Sequence, residues 1–349
     1  MTPLQPEDVD VLLASHIGGN NLARACAKGE LERIERGAYL PIEHRPDESA
    51  DSAADWRTFR RRHLARCLAA ADRLSDETVL SHVSAAAVHG LWGPVRNERV
   101  HVTQRFRSNG RTVSPELARH HRSLPPEDVT EARGLRVTSI DRTVVDCVCA
   151  LPVDWGFAIA DSALRLLTAA DRCRRRELAV PAARIRARWL HHLETRGPRR
   201  GRRQAREILA RADPLSESAG ESRLRCLAVA AGLPTPILQM DVSAEGREYF
   251  ADLGWLVHTA DGPIKAVVEF DGREKYERVG AHQAQDQREE AILRTGARLI
   301  RFDGEDLLIE NQHLVVPRLC ALIPELTRQR LEPIRDLTPQ PRRPRRRAA

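Results

Sequence analysis

Lysine is nearly missing from this chain. Of its 349 residues 56 are basic, yet Lys28, Lys265 and Lys275 are the only lysines, and Lys265 and Lys275 flank one acidic segment, Glu269-Phe270-Asp271. Paired cysteines are missing too. Cys26, Cys67, Cys147, Cys149, Cys173, Cys226 and Cys320 are scattered and form no CxxC, which argues against structural zinc and for a reducing compartment. No apolar run approaches membrane-spanning length, and the acidic opening MTPLQPEDVD has no apolar core of the signal-peptide kind. The expectation is a cytoplasmic protein with no membrane association. A strong charge of one sign is absent as well: the net charge is +7, and the segment Pro341–Arg347 supplies five of those positives. Bulk charge therefore does not identify a nucleic-acid binder, and local patches would have to carry that role.

What is present is concentrated between Tyr249 and Tyr276, YFADLGWLVHTADGPIKAVVEFDGREKY. Asp261-Gly262 followed by Pro263 predicts a tight reversal between two apolar runs. A turn centred between Ala260 and Asp261 sets Asp252 opposite Glu269; one centred between Asp261 and Gly262 sets it opposite Asp271. Either register gathers the acids at one end of a hairpin. Alternation on the second strand puts Ile264, Ala266, Val268 and Phe270 on one face, with Lys265, Val267, Glu269 and Asp271 on the other. Carboxylates in this pattern suit Mg²⁺ or Mn²⁺, hard ions that take oxygen ligands and activate water against phosphodiesters. Asp252, Glu269 and Asp271 are the candidate metal ligands. A nearby cation would neutralise developing charge.

Along the rest of the chain, residues 6–40 read as helix, helix, hairpin, the order of a winged helix-turn-helix. Asn20 or Asn21 caps the second helix, Gly29 stops it, and Gly37 turns the wing. Arg24 and Lys28 on that helix, with Arg33 and Arg36 on the wing, are candidate contacts to DNA phosphates. Residues 50–72 form an Arg/Ala-rich helix. A mixed α/β stretch follows, with strands at Arg99–Thr103 and Leu135–Thr138 and helices from Asp141 to about Leu167. Ser81, His82 and His89 share helical spacing with Ser84, Ala87 and Val88 and read as capping and packing residues. Arg172–Arg211 is an Arg-rich helical connector, broken at Gly197-Pro198. From Leu215 the predicted order is α-β-β-β-α-β-α, opened by the capping box Ser218-Ala219-Gly220-Glu221.

Five ordered motifs in residues 215–325 resemble the restriction-endonuclease-like PD-(D/E)XK fold, and more closely the family related to very-short-patch repair endonucleases. They are Glu221-Ser222-Arg223-Leu224-Arg225, Phe250-Ala251-Asp252-Leu253 and Val268-Glu269-Phe270-Asp271-Gly272-Arg273. Asp286-Gln287-Arg288 and Leu293-Arg294-Thr295-Gly296 with Leu299-Ile300-Arg301-Phe302 complete the set. The resemblance implies metal binding by Asp252 and Glu269, with Asp271 and help from Glu221. One departure stands out: Asp271 occupies the position two after Glu269, where the broad fold usually has lysine. Lys265, Lys275 or Arg288 would then supply the positive charge.

The N-terminal half resembles AbiEi-type antitoxins through Arg33-Ile34-Glu35-Arg36-Gly37-Ala38-Tyr39, Leu80-Ser81-His82-Val83-Ser84-Ala85-Ala86 and Asp141-Arg142-Thr143-Val144-Val145-Asp146. That resemblance implies a DNA-binding, autoregulating module. The expected organisation is α/β multidomain. A winged helix-turn-helix (1–45) precedes an AbiEi-like α/β domain (46–170) and the connector (171–214). An endonuclease-like domain (215–327) and a disordered basic tail (328–349) follow. The leading expectation is a DNA-binding, Mg²⁺-dependent endodeoxyribonuclease, used in defence or DNA processing. The alternative is a non-cutting regulator or antitoxin of a type IV system, whose partner is a toxin protein.

Overall fold

The computed structural model describes residues 11–17, 19–35, 37–42, 52–75, 77–96, 99–106, 116–244, 246–271, 281–328 and 330–338. They fall into two compact units, one within Met1–Cys147 and Ala187–Pro198, the other within Val148–Arg186, Arg199–Asp271 and Tyr276–Ala349. Both are mixed α/β, and three sheets are present among the described residues.

The first unit opens with β1 (Leu12–Leu13), α1 (Ala14–Ile17), α2 (Gly19–Ala27), β2 (Leu31–Glu35) and β3 (Ala38–Pro41), in a sheet of order β1-β3-β2. Leu22, Leu31 and Tyr39 form the small core beneath α2. Helix α3 (Ser52–Arg73) packs Leu64, Cys67 and Ala70 against the next sheet. That sheet comprises β4 (Val79–Leu80), then after α4 (His82–His89) β5 (Val100–Gln104), β6 (Leu117–His121), β7 (Val129–Ala132) and β8 (Leu135–Thr138), in the order β6-β5-β4-β8-β7. Helix α5 (Ile140–Ala150) follows, with Arg142 buried between Asp146 (2.7 Å) and Asp128 (3.0 Å).

The later elements are α6 (Val153–Thr168), α7 (Arg175–Arg196), α8 (Arg202–Arg211), α9 (Ala219–Ala230), β9 (Ile237–Asp241), β10 (Phe250–Thr259), β11 (Gly262–Asp271), α10 (Ala281–Arg294), β12 (Arg298–Asp303) and α11 (Gln312–Leu322). From α9 onward the order is the expected α-β-β-β-α-β-α. The sheet runs β12-β11-β10-β9, antiparallel except for β11 and β12, which α10 connects in parallel. Strand alternation sorts two cores. Ala266 and Val268, with Phe270 alongside, pack with Leu224 and Ala228 of α9 and Val315 and Leu319 of α11, whereas Val267 packs with Ile292 of α10.

The boundaries differ from those expected. Residues 148–170 belong to the second unit, where the Arg225 guanidinium holds buried Asp161 of α6 through two 2.7 Å bonds. Residues 187–198 of the expected connector belong to the first unit. The segment expected as a disordered tail is also ordered in part. The Ile334 amide donates to the Ala230 carbonyl at 3.0 Å and Leu337 is buried, so apolar burial anchors residues 330–338. Residues 339–349 lie outside the described residues.

Candidate functional site

The hairpin takes the first of the two registers. Thr259 pairs with Gly262 and Leu253 with Val268, so Asp252 comes next, toward Glu269. The backbone ladder stops at Leu253. Beyond it the Asp252 side chain replaces a strand partner, its Oδ2 accepting the Phe270 amide at 2.7 Å. Asp252 is thus fixed between the two strand ends that carry the acids.

Glu221 reaches the same end from α9. Ser218 caps the helix by accepting the Glu221 amide at 3.1 Å, and the Glu221 carboxylate accepts the Glu217 amide at 2.8 Å. The capping box is present, with the reciprocal bond displaced one residue outward. Gly220 lets α9 approach: a Cβ there would lie 2.0 Å from the Phe270 ring. Burial, reinforced by the Asp252 charge, pushes Glu221 from 4.5 up to about 8. At neutral pH its carboxyl holds a proton.

Glu269 is 3% exposed. The Arg288 guanidinium of α10 lies 2.7 Å from its Oε1, an ion pair that lacks hydrogen-bond geometry, so that buried oxygen has no hydrogen-bond donor. Arg288 donates instead to the Phe250 carbonyl at 2.7 Å. On the other side, parallel pairing of β11 with β12 sets Arg301 beside Glu269. Its guanidinium lies 3.5 Å from Glu269, 3.4 Å from Asp271 and 3.0 Å from Glu289. Two arginines therefore neutralise the acids, Arg288 as one of the three expected sources of charge and Arg301 in addition.

Of the residues expected at this site, Glu221, Asp252, Glu269, Asp271 and Arg288 meet at the hairpin end. Lys265 does not join them. It stands four residues before Glu269, and its ammonium donates to the Asp241 carbonyl at 2.7 Å. Lys275 lies outside the described residues. Arg301 lies in the motif Leu299–Phe302 but has no role assigned from sequence, because its position beside Glu269 depends on which strand β12 joins, and local sequence does not specify that. Oxygen donors of this kind fit Mg²⁺ or Mn²⁺ in type, and Glu269 Oε1 already faces a cation, the Arg288 guanidinium. The spacing is not that of a closed site: among the described residues no three carboxylates bring ligand atoms within 4.8 Å of one another.

In the first unit Arg24, Lys28 and Arg33 are exposed, the first two on and just beyond α2 and the third on β2. Arg36 lies outside the described residues. Among the described residues no helix is long and apolar enough to cross a membrane.

One cluster escapes sequence reasoning. Ligand nitrogens of His82, His101 and His120 all lie within 4.8 Å of one another. His82 opens α4, while β5 and β6 carry the other two. Burial, aided by the neighbouring imidazoles, drives His82 well below the ordinary histidine range and His120 down to about 4. The spacing of its own helix makes His82 look like a packing residue. The signal that points to the cluster is His101 between Val100 and Val102 on β5, with His120 on the strand that pairs beside it.

No protein-family model matches the chain, and no curated protein matches it.

Proposed function

We propose that the chain is a DNA-binding protein whose second unit is a divalent-metal-dependent phosphodiesterase of the endonuclease-like kind. The observation that carries this reading is the gathering of Glu269, Asp252, Asp271 and Glu221 at one hairpin end, with Glu269 buried and its Oε1 met only by the Arg288 ion pair. A buried carboxylate requires a compensating cation, and a divalent metal would take that place from Arg288. Asp252 and Glu269 would hold Mg²⁺ or Mn²⁺, with Asp271 as third ligand or water-orienting group and Glu221 in support. When bound, the ion supplies an activated water and stabilises the leaving oxygen. Arg288 and Arg301 would then turn from Glu269 to the phosphate, whose oxygens suit guanidinium donors. The order α-β-β-β-α-β-α agrees with the resemblance to very-short-patch repair endonucleases. The helix–helix–hairpin with exposed Arg24, Lys28 and Arg33 supports duplex binding.

A second reading is a non-cutting regulator or antitoxin that keeps the same architecture. The ion pairs from Arg288 and Arg301 favour it, because they balance Glu269 without a metal. Cleavage of single- and double-stranded DNA by wild type, Asp252→Asn and Glu269→Gln, with Mg²⁺ or Mn²⁺, separates the two. The nuclease reading expects wild type to cut and each variant to lose at least about 100-fold. Equal cutting by all three proteins would remove the chemistry from this site. No cutting by wild type on any substrate would leave the regulator.

A further inference from the structure

The histidine cluster of the first unit has no part in the carboxylate chemistry. It gathers one ligand nitrogen from each of three imidazoles within 4.8 Å of the others. The His120 Nε2 and His101 Nδ1 atoms share a hydrogen bond at 3.2 Å, which a metal would replace at nearly the same spacing, since two ligands on a tetrahedral ion with bonds of about 2.0–2.1 Å lie roughly 3.3 Å apart. The His82 ring stacks on that of His120, with centroids 3.7 Å apart and planes 12° from parallel. The His82 Nδ1 is engaged by the Ser81 hydroxyl at 3.0 Å, which leaves Nε2 as the nitrogen open to a metal. A hydrogen-bonded second nitrogen is what orients a metal-binding imidazole.

The backbone is also specialised here. His82 holds a left-handed φ of 51°, a conformation rare outside glycine that clusters at functional sites. Around it the supports are rigid. The Ser81 amide donates to the His101 carbonyl at 2.9 Å, and the His101 amide donates to the Ser84 hydroxyl at 2.8 Å. The start of α4 is therefore pinned directly to β5. One adjustment is needed, since lone pairs lie in the ring planes and stacked rings do not aim at a common point. His120 is only half-buried, and the last torsion of histidine is broad, so a tilt of that ring suffices.

We propose that His82, His101 and His120 bind a borderline transition-metal dication of the Zn²⁺ class, in a three-histidine site with an open fourth position. Imidazole nitrogens select Zn²⁺, Co²⁺, Ni²⁺ or Cu²⁺ over Mg²⁺ and Ca²⁺, which require oxygen. The fourth ligand is water, hydroxide or an anion. Arg122 and Arg142 are near enough for their charges to act on His82, and both line a cleft of about 460 Å³ with Ser123, Pro125 and Arg196. Asp128 and Asp146 neutralise Arg142, so Arg122 is the residue placed to draw an anion to the open position.

The test uses the full chain stripped of metal and titrated with Co²⁺, whose visible d–d bands report four-coordination. Zn²⁺ competition and metal analysis follow. Wild type should show one equivalent of four-coordinate Co²⁺, distinct from any octahedral ion at the carboxylate site, with Zn²⁺ displacing it and Mg²⁺ failing to. His101→Ala and His120→Ala should each weaken binding by about 100-fold or more. His121→Ala, beside the cluster, and Glu269→Gln, in the other unit, should leave it unchanged. His101→Gln keeps a polar side chain of similar reach, so loss of binding in a variant with wild-type circular dichroism is loss of a ligand. Absence of four-coordinate Co²⁺ in wild type would overturn the proposal. So would full binding by His101→Ala or His120→Ala.

Discussion

Glu221 shows how one residue serves both the fold and the site. Its position three after Ser218 makes the cap legible from sequence, and its neighbours make it a candidate acid. Its burial against Asp252 is not legible, because that depends on how closely α9 approaches β11. The consequence for stability has a definite sign. Folding raises the Glu221 pKa from 4.5 to about 8, so the folded protein binds a proton that the unfolded chain releases in that interval. Stability should therefore be fully present below 4.5 and decline as pH rises through about 8. Glu221→Gln removes that titration and keeps an acceptor for the Glu217 amide. Urea denaturation across this range should give wild type a steeper downward slope than the variant, which keeps the contribution of Glu35, itself raised to about 7 by burial. Parallel profiles would contradict the burial of an ionisable carboxyl. Arg301 is the complementary case. The sequence points to a positive charge near Glu269, but as lysine or Arg288, since a parallel partner on a later strand leaves no local mark.

At the scale of elements, the hairpin and its flanking helices are the most legible part. Asp261-Gly262 marks the turn, strand alternation assigns both faces, and Gly296 and Gly29 mark helix ends. The strands β4, β6 and β7 are not legible, because β4 has two residues and β6 and β7, LARHH and VTEA, lack the apolar alternation that marks β5. Two packing claims can be tested here. Gly220→Ala would drive a methyl group into the Phe270 ring, and overpacking of this kind typically costs about 1–3 kcal/mol. Because that contact sets α9 over the acidic strand end, activity should fall more than stability predicts; an unchanged melting temperature would show that the ring yields freely. The Arg225–Asp161 pair is 2% and 0% exposed at its side chains. Removing one partner of such a pair costs about 3–5 kcal/mol. Arg225→Leu should lose about that much in chemical denaturation, while Arg225→Leu combined with Asp161→Leu should recover part of it. A loss under about 1 kcal/mol in the single variant would mean that Asp161 is neutral when folded.

For the whole molecule, composition says little and local pattern says much. A net charge of +7, partly from one terminal segment, does not distinguish a DNA-binding protein. The first-unit reading rests on Arg24, Lys28 and Arg33 and predicts binding that weakens with salt. Replacing the three by alanine should flatten the slope of log affinity against log salt by roughly 1 for each phosphate no longer neutralised. An unchanged slope would assign DNA binding to another surface, such as the Arg-rich helices between 172 and 211.

The central claim is that the end of the β10–β11 hairpin is a cation site in a phosphodiesterase, and Mn²⁺ can be located there directly. Anomalous scattering from crystals of the full chain grown with Mn²⁺ should show one ion between the Asp252 and Glu269 carboxylates. Glu269 should have turned from Arg288, and the peak should be absent from Glu269→Gln crystals. A map with no anomalous peak at that hairpin end, and with Glu269 still paired to Arg288, would contradict it.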